Sequence, residues 1–512
     1  MSSWPEARCF GDVWASTVAA NPEALFLRFE GPSGSVHEWS YGQFDELVGG
    51  MAAALVERGV ARGSAVHLAL TNSPGFVAAW IATVRLGAWM VPSDPSARTP
   101  ELAAHIERTR PAVGLYAASR ADEYLPAAHD LATIVIDEAD AELVDLDRTP
   151  HHDWPALGLH DRAAVMFTSG TTGRPKGVEI TQANYAFAGK VMAEAACLGP
   201  EHRQIVVLPL FHANAQYYSF ASAIWAGASV ALMHTFSASR FLTQAAQHHA
   251  THASLFAAPI RMILARGATP VDGVRLQHCW YAMNISDDQY HVLTDLFGCR
   301  PRQLYGMTET IPAVLTDTAV DPVPSSMGYV TPGCSVEVHA ADGHPVVAGE
   351  VGEIVVGGER GVTIFAGYLD DPGTMEASFD GQWFRTGDRA RRDDGGHYYF
   401  DGRRADVLKV AGENVSTVEV EQVLAAHPGV LEAAVIGMPD PVRDEVPVAF
   451  VVASDPSQPP TGPQLLDWCT ERLARSKLPR DITFVDELPR TSVGKIRKFL
   501  LKDPTAEGGT TR

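Results

Sequence analysis

From residue 10 to about residue 150 the chain alternates between helical and strand patterns, and this rhythm limits its fold more than any other feature. Tyr41–Arg58 (YGQFDELVGGMAAALVER) carries apolar residues at helical spacing and ends beside Gly59, a C-cap residue. Ala65–Leu70 is a short apolar run that reads as a buried strand, Phe76–Leu86 as a helix and Trp89–Pro92 as the next strand. Strand, helix, strand in succession predicts a mostly parallel sheet covered by helices. The same rhythm runs through Ala164–Phe167, Ile205–Leu208 and Ser229–Met233.

From Ser335 the texture changes. Val336–His339 and Glu353–Gly357 are short, alternating and bounded by glycine, as in an antiparallel sheet or distorted β-barrel. Asp393–Gly402 reads as turn, strand, turn, and after it a compact α+β pattern begins. Val418–Ala426 and Gln464–Ala474 look helical there, while Ala433–Gly437 and Ala449–Ala453 look like strands. The expectation is an α/β protein: a large N-terminal domain over residues 1–402, with parallel-rich sheets, helices and a distorted β-barrel, and a small C-terminal α+β domain over residues 403–512. The last ten residues, polar and small, are expected to be disordered.

A formal charge of −21 disfavours nucleic acid and anionic membranes as partners. The six cysteines form no CxxC pair, so no zinc site or disulfide framework is expected, and reduced thiols fit a cytoplasmic protein. The N-terminus lacks the pattern of a signal peptide. The longest apolar stretch, Phe76–Val91, is interrupted by Arg85 and Gly87, so no membrane span is expected.

Directly after the Ala164–Phe167 strand comes Thr168–Gly177 (TSGTTGRPKG), with three glycines and four hydroxyl residues. Glycine lets backbone approach an anion and present successive N–H groups to it. Thr168, Ser169, Gly170, Thr171, Thr172, Gly173 and Lys176 are the phosphate-binding candidates. The spacing is not that of a Walker loop, because Lys176 follows Pro175 and precedes Gly177. A GTPase or motor ATPase is thereby excluded.

This loop and four further motifs in order resemble the adenylate-forming superfamily of acyl- and aryl-CoA ligases, adenylation domains and luciferases. The resemblance covers nearly the whole chain. Tyr305-Gly306-Met307-Thr308-Glu309-Thr310 is similar to the family's nucleotide segment, Asp388 in Trp383–Asp388 to its ribose-binding aspartate, Arg403 to its second ribose contact, and Pro489–Lys498 (PRTSVGKIRK) to its terminal catalytic segment, with Lys495 in the lysine slot. The resemblance implies that ATP and magnesium are cofactors. It implies that Glu309 ligates the metal, Thr308 bonds the α-phosphate, Tyr305 stacks on adenine and Lys495 bridges the carboxylate and the α-phosphate. It also implies a mobile C-terminal domain that rotates after adenylation, bringing Lys409 and Gly412-Glu413 of Val407–Val415 toward a thiol acceptor. Arg475–Lys477 are placed to meet CoA phosphates. One departure is Ala405, where the family's hinge usually has Asp or Lys.

Pro209–Tyr218 (PLFHANAQYY) resembles the segment lining the acyl pocket, making His212, Asn214, Gln216 and Tyr217 candidates. Ser237 stands where amino-acid activators carry an ammonium-binding aspartate, which argues against an α-amino acid substrate. Tyr281–Ser286 (YAMNIS), which contributes Met283 and Asn284, together with YGMTETI looks closest to crotonobetaine/carnitine-type CoA ligases.

The leading reading is an acid–CoA ligase: a small-molecule acid and ATP give acyl-AMP, and CoA as co-substrate then gives the thioester. Three alternatives stay open: a nitrite-activating diazotase, a loader of carrier proteins and a non-catalytic nucleotide-binding regulator. Monomer and homodimer are equally compatible with the sequence.

Overall fold

The computed structural model describes residues 7–138, 150–151, 153–168, 175–282, 285, 287–403, 407–410, 413–440, 443–490 and 496–502. Two sheets built mainly of parallel strands form its larger part. In the first, Ala132–Ile136, Val113–Ala117, Ala65–Ala69, Trp89–Pro92 and Arg162–Thr168 run parallel, and Lys176–Thr181 and Gly367–Tyr368 close the edge antiparallel. The second has nine strands, six of them a parallel run from Arg302–Tyr305 through His278–Ala282, His252–Phe256, Arg203–Val206 and Ser229–Met233 to Leu25–Glu30. Leu27 pairs in register with Val230 in this run, although the two are far apart in sequence.

The expected Phe76–Leu86 helix spans Pro74–Arg85. Ser73 caps it by accepting from the Phe76 amide at 3.3 Å, and Pro74 occupies the first turn, where no amide donor is needed. All twelve of its residues are buried, which explains its apolar character on every side. Phe10 stacks against both Trp80 of this helix and Tyr185 of the helix Gln182–Ala195, at centroid distances of 5.6 and 5.3 Å. Tyr41–Glu57 begins with a reciprocal capping box between Ser40 and Gln43.

The antiparallel sheet predicted from Ser335 onward consists of Ser335–His339, Val351–Gly357, Trp383–Arg392, Phe379–Asp380 and Tyr398–Arg403. Its last strand carries Arg403, opposite Asp388. Beyond it, Glu413–Ser416, Val407–Val410, Asp444–Ala453 and Val430–Asp440 form another sheet, with Asp481–Phe484 added parallel to Asp444–Ala453. Thr417–Ala425 and Gly462–Thr470 flank it. The latter helix stops short of the expected Ala474, because the Arg472 and Leu473 amides both turn back to the Cys469 carbonyl. The apolar clusters of this part, built on Val415, Val420, Leu424, Val435, Ala434 and Leu488, draw only on residues from 408 onward.

No helix among the described residues is long and apolar enough to cross a membrane. All six cysteines are free thiols.

Candidate active site

The phosphate loop joins two strands of a hairpin rather than a strand and a helix. Thr168 pairs with Lys176, Phe167 with Gly177 and Met166 with Val178, so the stems of the loop are held in register. Ser169–Arg174 lie outside the described residues. Gly177 has no room for a side chain: a Cβ would stand 3.0 Å from Val165, 3.1 Å from Leu369 and 3.2 Å from Phe167. The helix Thr99–Thr109 grips the stems from outside. Arg108 Nη1 donates to the Pro175 carbonyl at 2.7 Å, and its guanidinium lies 4.9 Å from the Phe167 centroid. His105, one turn earlier, stacks on the same ring at 4.1 Å and 7°.

His105 also ends a buried chain. Its Nδ1 meets Ser93 Oγ at 2.8 Å, Ser93 Oγ meets His67 Nε2 at 2.9 Å, and His67 Nδ1 meets Tyr124 Oη at 2.8 Å. Burial pushes the His67 imidazole down to about 3, with His105 beside it as a lesser cause, and His105 down to about 4, with Arg108 as a lesser cause. Both rings are therefore neutral at pH 7.

Lys176 reaches across the hairpin edge, its Nζ 4.9 Å from the ring centroid of Tyr368. Tyr368 in turn donates to Glu309 Oε1 at 3.0 Å. Burial, and then Glu309, raise the phenol's pKa, which keeps Tyr368 a donor. Glu309 is buried in the 3₁₀ turn Thr308–Thr310. The phosphate loop and the nucleotide segment, far apart in sequence, thus meet through Lys176, Tyr368 and Glu309. The turn after Glu309 is strained: Ile311, fully buried, has φ +73 and ψ −82, a conformation that β-branched residues avoid.

Tyr305 ends the strand Arg302–Tyr305 and donates to Asp388 Oδ2 at 2.7 Å. Arg403 Nε donates to the other oxygen, Oδ1, at 3.0 Å. The buried Asp388 therefore holds one partner on each oxygen and keeps acceptor capacity for sugar hydroxyls. Gly306 is closely enclosed; an added Cβ would lie 2.7 Å from Tyr218 Oη, 2.9 Å from Ala313 Cα and 3.0 Å from the Pro312 carbonyl. The Met307 amide donates to Thr310 Oγ1 at 3.0 Å.

The acyl-pocket candidates fall on and before a π-helical stretch, Asn214–Ala221. Such stretches are rare and occur frequently at functional sites. Gln216 is engaged: its Nε2 donates to the Leu210 carbonyl at 2.6 Å, and its Oε1 accepts from Tyr185. Tyr217 is fully buried, with its hydroxyl 4.0 Å from Met166 Sδ. His212 packs against Phe211 at 4.1 Å. Asn214, only 3% exposed, has neither amide atom hydrogen-bonded among the described residues. Asn72, absent from the sequence reading, fixes this segment: its Nδ2 donates to the Leu208 and Met233 carbonyls, both at 3.1 Å, and its Oδ1 accepts from the Leu210 amide at 2.9 Å.

Met283, Asn284, Ala405 and Lys495 lie outside the described residues, as does Gly412, and only the backbone of Lys409 and Glu413 is described, on two paired strands with Lys409 opposite Asn414 and Glu413 opposite Val410. Lys477 is paired with Glu419 at 2.7 Å. Among the described residues no three or more His, Cys, Asp or Glu side chains group as a metal site. A single buried carboxylate does suit magnesium, which takes one or two protein carboxylates and completes its shell with water and phosphate.

Comparison with known proteins agrees with this geometry. The family model described as AMP-binding enzyme matches residues 14–369, and the one described as AMP-binding enzyme C-terminal domain matches residues 419–495. A crotonobetaine/carnitine–CoA ligase of Salmonella agona (strain SL483) is 31% identical over 507 residues, covering 96% of this chain and 98% of the relative. The anthranilate CoA ligase AuaEII, solved in complex with anthranoyl-AMP, superposes with a TM-score of 0.89 at 26% identity, covering 98% of both chains. ATP-bound MatB from Rhodopseudomonas palustris superposes with a TM-score of 0.88 at 26% identity, covering 96% of this chain and 98% of that one. With its paired loop stems, its Lys176–Tyr368–Glu309 contact and its match to both models, the chain belongs to the AMP-binding enzyme family and is an ATP-using, AMP-forming ligase.

Proposed function

We propose that this enzyme is an acid–CoA ligase working in two steps at one site. A carboxylate oxygen of the acid attacks the α-phosphorus of ATP, the bond to the β-phosphate oxygen breaks, and pyrophosphate leaves with the electron pair. The CoA thiol then loses its proton and attacks the acyl carbon of the adenylate, and AMP departs. The observation that carries the reading is the Lys176–Tyr368–Glu309 contact, which sets a cation and a buried carboxylate between the phosphate loop and the nucleotide segment.

Bringing two anions together makes charge neutralisation the main catalytic task. In this reading the loop amides, Thr168–Gly173 and Lys176 hold the β- and γ-phosphates, and Thr308 donates to the α-phosphate. Tyr305, Gly306 and Met307 bound the adenine. Asp388 and Arg403 take the ribose, with Tyr305 holding the carboxylate in place. Magnesium held by Glu309 would supply further neutralisation of phosphate charge. Lys495 bridges acid and α-phosphate in the first step, and Lys409 approaches the thiol in the second. The residue range 1–402 serves as the adenylation core and 403–512 as the moving unit. CoA is the acceptor rather than a carrier protein, and the six free thiols fit a cytoplasmic location.

The acid pocket takes His212, Asn214, Gln216, Tyr217, Met283 and Asn284. A buried amide without partners costs about 1–3 kcal/mol. An acid bearing a hydroxyl or amide group would satisfy Asn214, while a second carboxylate would accept only from its Nδ2, and this supports a polar acid over a plain alkyl one.

Pyrophosphate release over a panel of acids, with crotonobetaine, benzoate, anthranilate and o-succinylbenzoate included and nitrite plus arylamines as a control, tests the first step. One preferred acid is expected, and its adenylate should be consumed by CoA. Absence of release with every acid would favour a regulator, and an adenylate stable to CoA but lost to an amine or a carrier protein would replace the acceptor. Lys495→Ala should slow the first step by about 10²–10³ and spare the second.

A further inference from the structure

We infer that Glu432 is a positioning residue that ties the base of the terminal segment to the large domain during adenylation. Glu432 lies on the strand Val430–Asp440, at a register irregularity between Val430 and Glu432. Bulges of this kind re-aim a side chain. Its carboxylate, with a side chain 10% exposed, sits between two guanidiniums of different origin. Arg490, the first residue after the Pro489 that opens the terminal segment, donates to Oε2. Arg261 Nη1 donates to the same oxygen at 3.2 Å.

Arg261 belongs to the large domain. Its helix, Ala257–Ala265, directly follows the strand His252–Phe256. That strand runs parallel to His278–Ala282 and so to Arg302–Tyr305. The helix therefore starts from the same end of the sheet at which Tyr305 enters the nucleotide segment.

Arg490 and Ile496 form a bridge, and the Arg497 amide donates to the Pro489 carbonyl at 2.7 Å, so the two stems of the terminal segment meet. The far stem is fastened by Lys498 Nζ to Glu421 at 2.8 Å and to Thr417 Oγ1 at 3.1 Å, and Glu421 also attracts Arg261. Glu421 in turn accepts from the Val435 amide at 2.6 Å. The near stem is held by Glu432, and through Glu432 it is bound across to Arg261 of the large domain, while Arg497 of the far stem acts electrostatically on Glu101. A carboxylate this buried needs its cationic partners, and hydrogen bonds between ions are about twice as strong as neutral ones. Loss of either partner releases the near stem while leaving the segment's fold fastened at Lys498.

The inference rests on the proposed role of Lys495 in the first step. Its test uses the full-length protein with ATP and whichever of crotonobetaine, benzoate, anthranilate or o-succinylbenzoate gives the fastest pyrophosphate release. Glu432→Gln and Arg261→Met should each lower the turnover of that step by about tenfold, the scale of one charge-assisted hydrogen bond. The KM values for ATP and acid should stay within about twofold, and the CoA-dependent consumption of supplied adenylate should be unchanged. The double variant should be no slower than Glu432→Gln, because the two changes remove one interaction. With ATP alone, hydrogen exchange over residues 485–490 should quicken in Arg261→Met, a variant that leaves the small domain's own sequence intact.

Equal losses in both half-reactions, additive losses in the double variant, or unchanged turnover with unchanged exchange would overturn the inference. Lys495→Ala separates the two ideas. If it leaves pyrophosphate release intact, the reading of the terminal segment fails; if it abolishes release while Arg261→Met and Glu432→Gln do not slow it, only the tie through Glu432 fails.

Discussion

Arg108 and Pro175 are joined by a 2.7 Å hydrogen bond from the guanidinium to the carbonyl immediately before Lys176. The same guanidinium covers Phe167, immediately before Thr168. One side chain from a neighbouring helix therefore fixes both ends of the phosphate loop, and the aim of Lys176 depends on it.

Arg108→Ala should raise the KM for ATP by about tenfold, in line with about 1.5 kcal/mol for a hydrogen bond from a charged donor, and leave the KM for the acid nearly unchanged. Arg108→Lys should fall between, since an ammonium lacks the planar fork that spans carbonyl and ring. Steady-state kinetics with each substrate varied in turn checks this. Equal changes in both constants would remove Arg108 from the loop's support.

Tyr305→Phe takes a donor from Asp388, a carboxylate only 5% exposed. The expected cost is about 1–3 kcal/mol of stability, read from urea unfolding, with a rise in the KM for ATP. Arg403→Gln removes the donor on the other oxygen, but this arginine's side chain is 52% exposed, so its effect on stability should be the smaller of the two.

Gly306→Ala introduces a methyl 2.9 Å from Ala313 Cα and 3.0 Å from the Pro312 carbonyl. Backbone cannot step aside as a side-chain end can, and overpacking of this kind costs about 1–3 kcal/mol. Turnover in the first step should drop by about ten- to a hundredfold, and combining the change with Tyr218→Phe should not restore it. Full rescue would show that only the Tyr218 hydroxyl was in the way.

The His67–Ser93–His105 chain makes the fold sensitive to acid. Both imidazoles have folded-state pKa values, about 3 and about 4, below the unfolded value near 6.5, so the unfolded chain binds protons first as pH falls. Their contribution is complete above about pH 6.5 and is lost as pH falls from there toward about 4 for His105 and about 3 for His67, with a slope approaching about 1.4 kcal/mol per pH unit for each ring. Urea unfolding at pH 7.5, 6 and 5 should show the decline, and His67→Gln should flatten it. A pH-independent midpoint would contradict the buried, neutral state of these rings.

Local periodicity and short contiguous motifs were legible in the sequence. The helix read at Phe76–Leu86 could be placed from its apolar run, while its true start at Pro74, capped by Ser73, was not read from the sequence. Tyr305, Glu309, Asp388 and Arg403 were nominated because each sits in a motif of fixed local spacing, and the fold brings Tyr305, Asp388 and Arg403 into direct contact. Contacts made across the fold were not legible. Arg108 sits on an unremarkable amphipathic helix, and its partner is 67 residues away. Asn72 looks like a loop asparagine until Leu208, Leu210 and Met233 surround it. Gln216 shows the complementary limit: a motif can nominate a polar residue, but only packing reveals that its amide is already spent on Leu210 and Tyr185.

The pairing of Leu27 with Val230 has a consequence for how the enzyme is made. The strand Leu25–Glu30 emerges from the ribosome early, with Val36–Ser40 on one edge, but its parallel neighbour Ser229–Met233 is synthesised about 200 residues later. At about 5–20 residues per second, the open edge waits on the order of ten to forty seconds for its partner. During that interval Leu27 and Phe29 belong to a two-stranded ribbon that is marginal by itself. The edge carrying Leu27 and Phe29 thus stays open to misassembly until residue 230 is made, a wait of similar length to that of Lys176–Thr181 for Gly367–Tyr368.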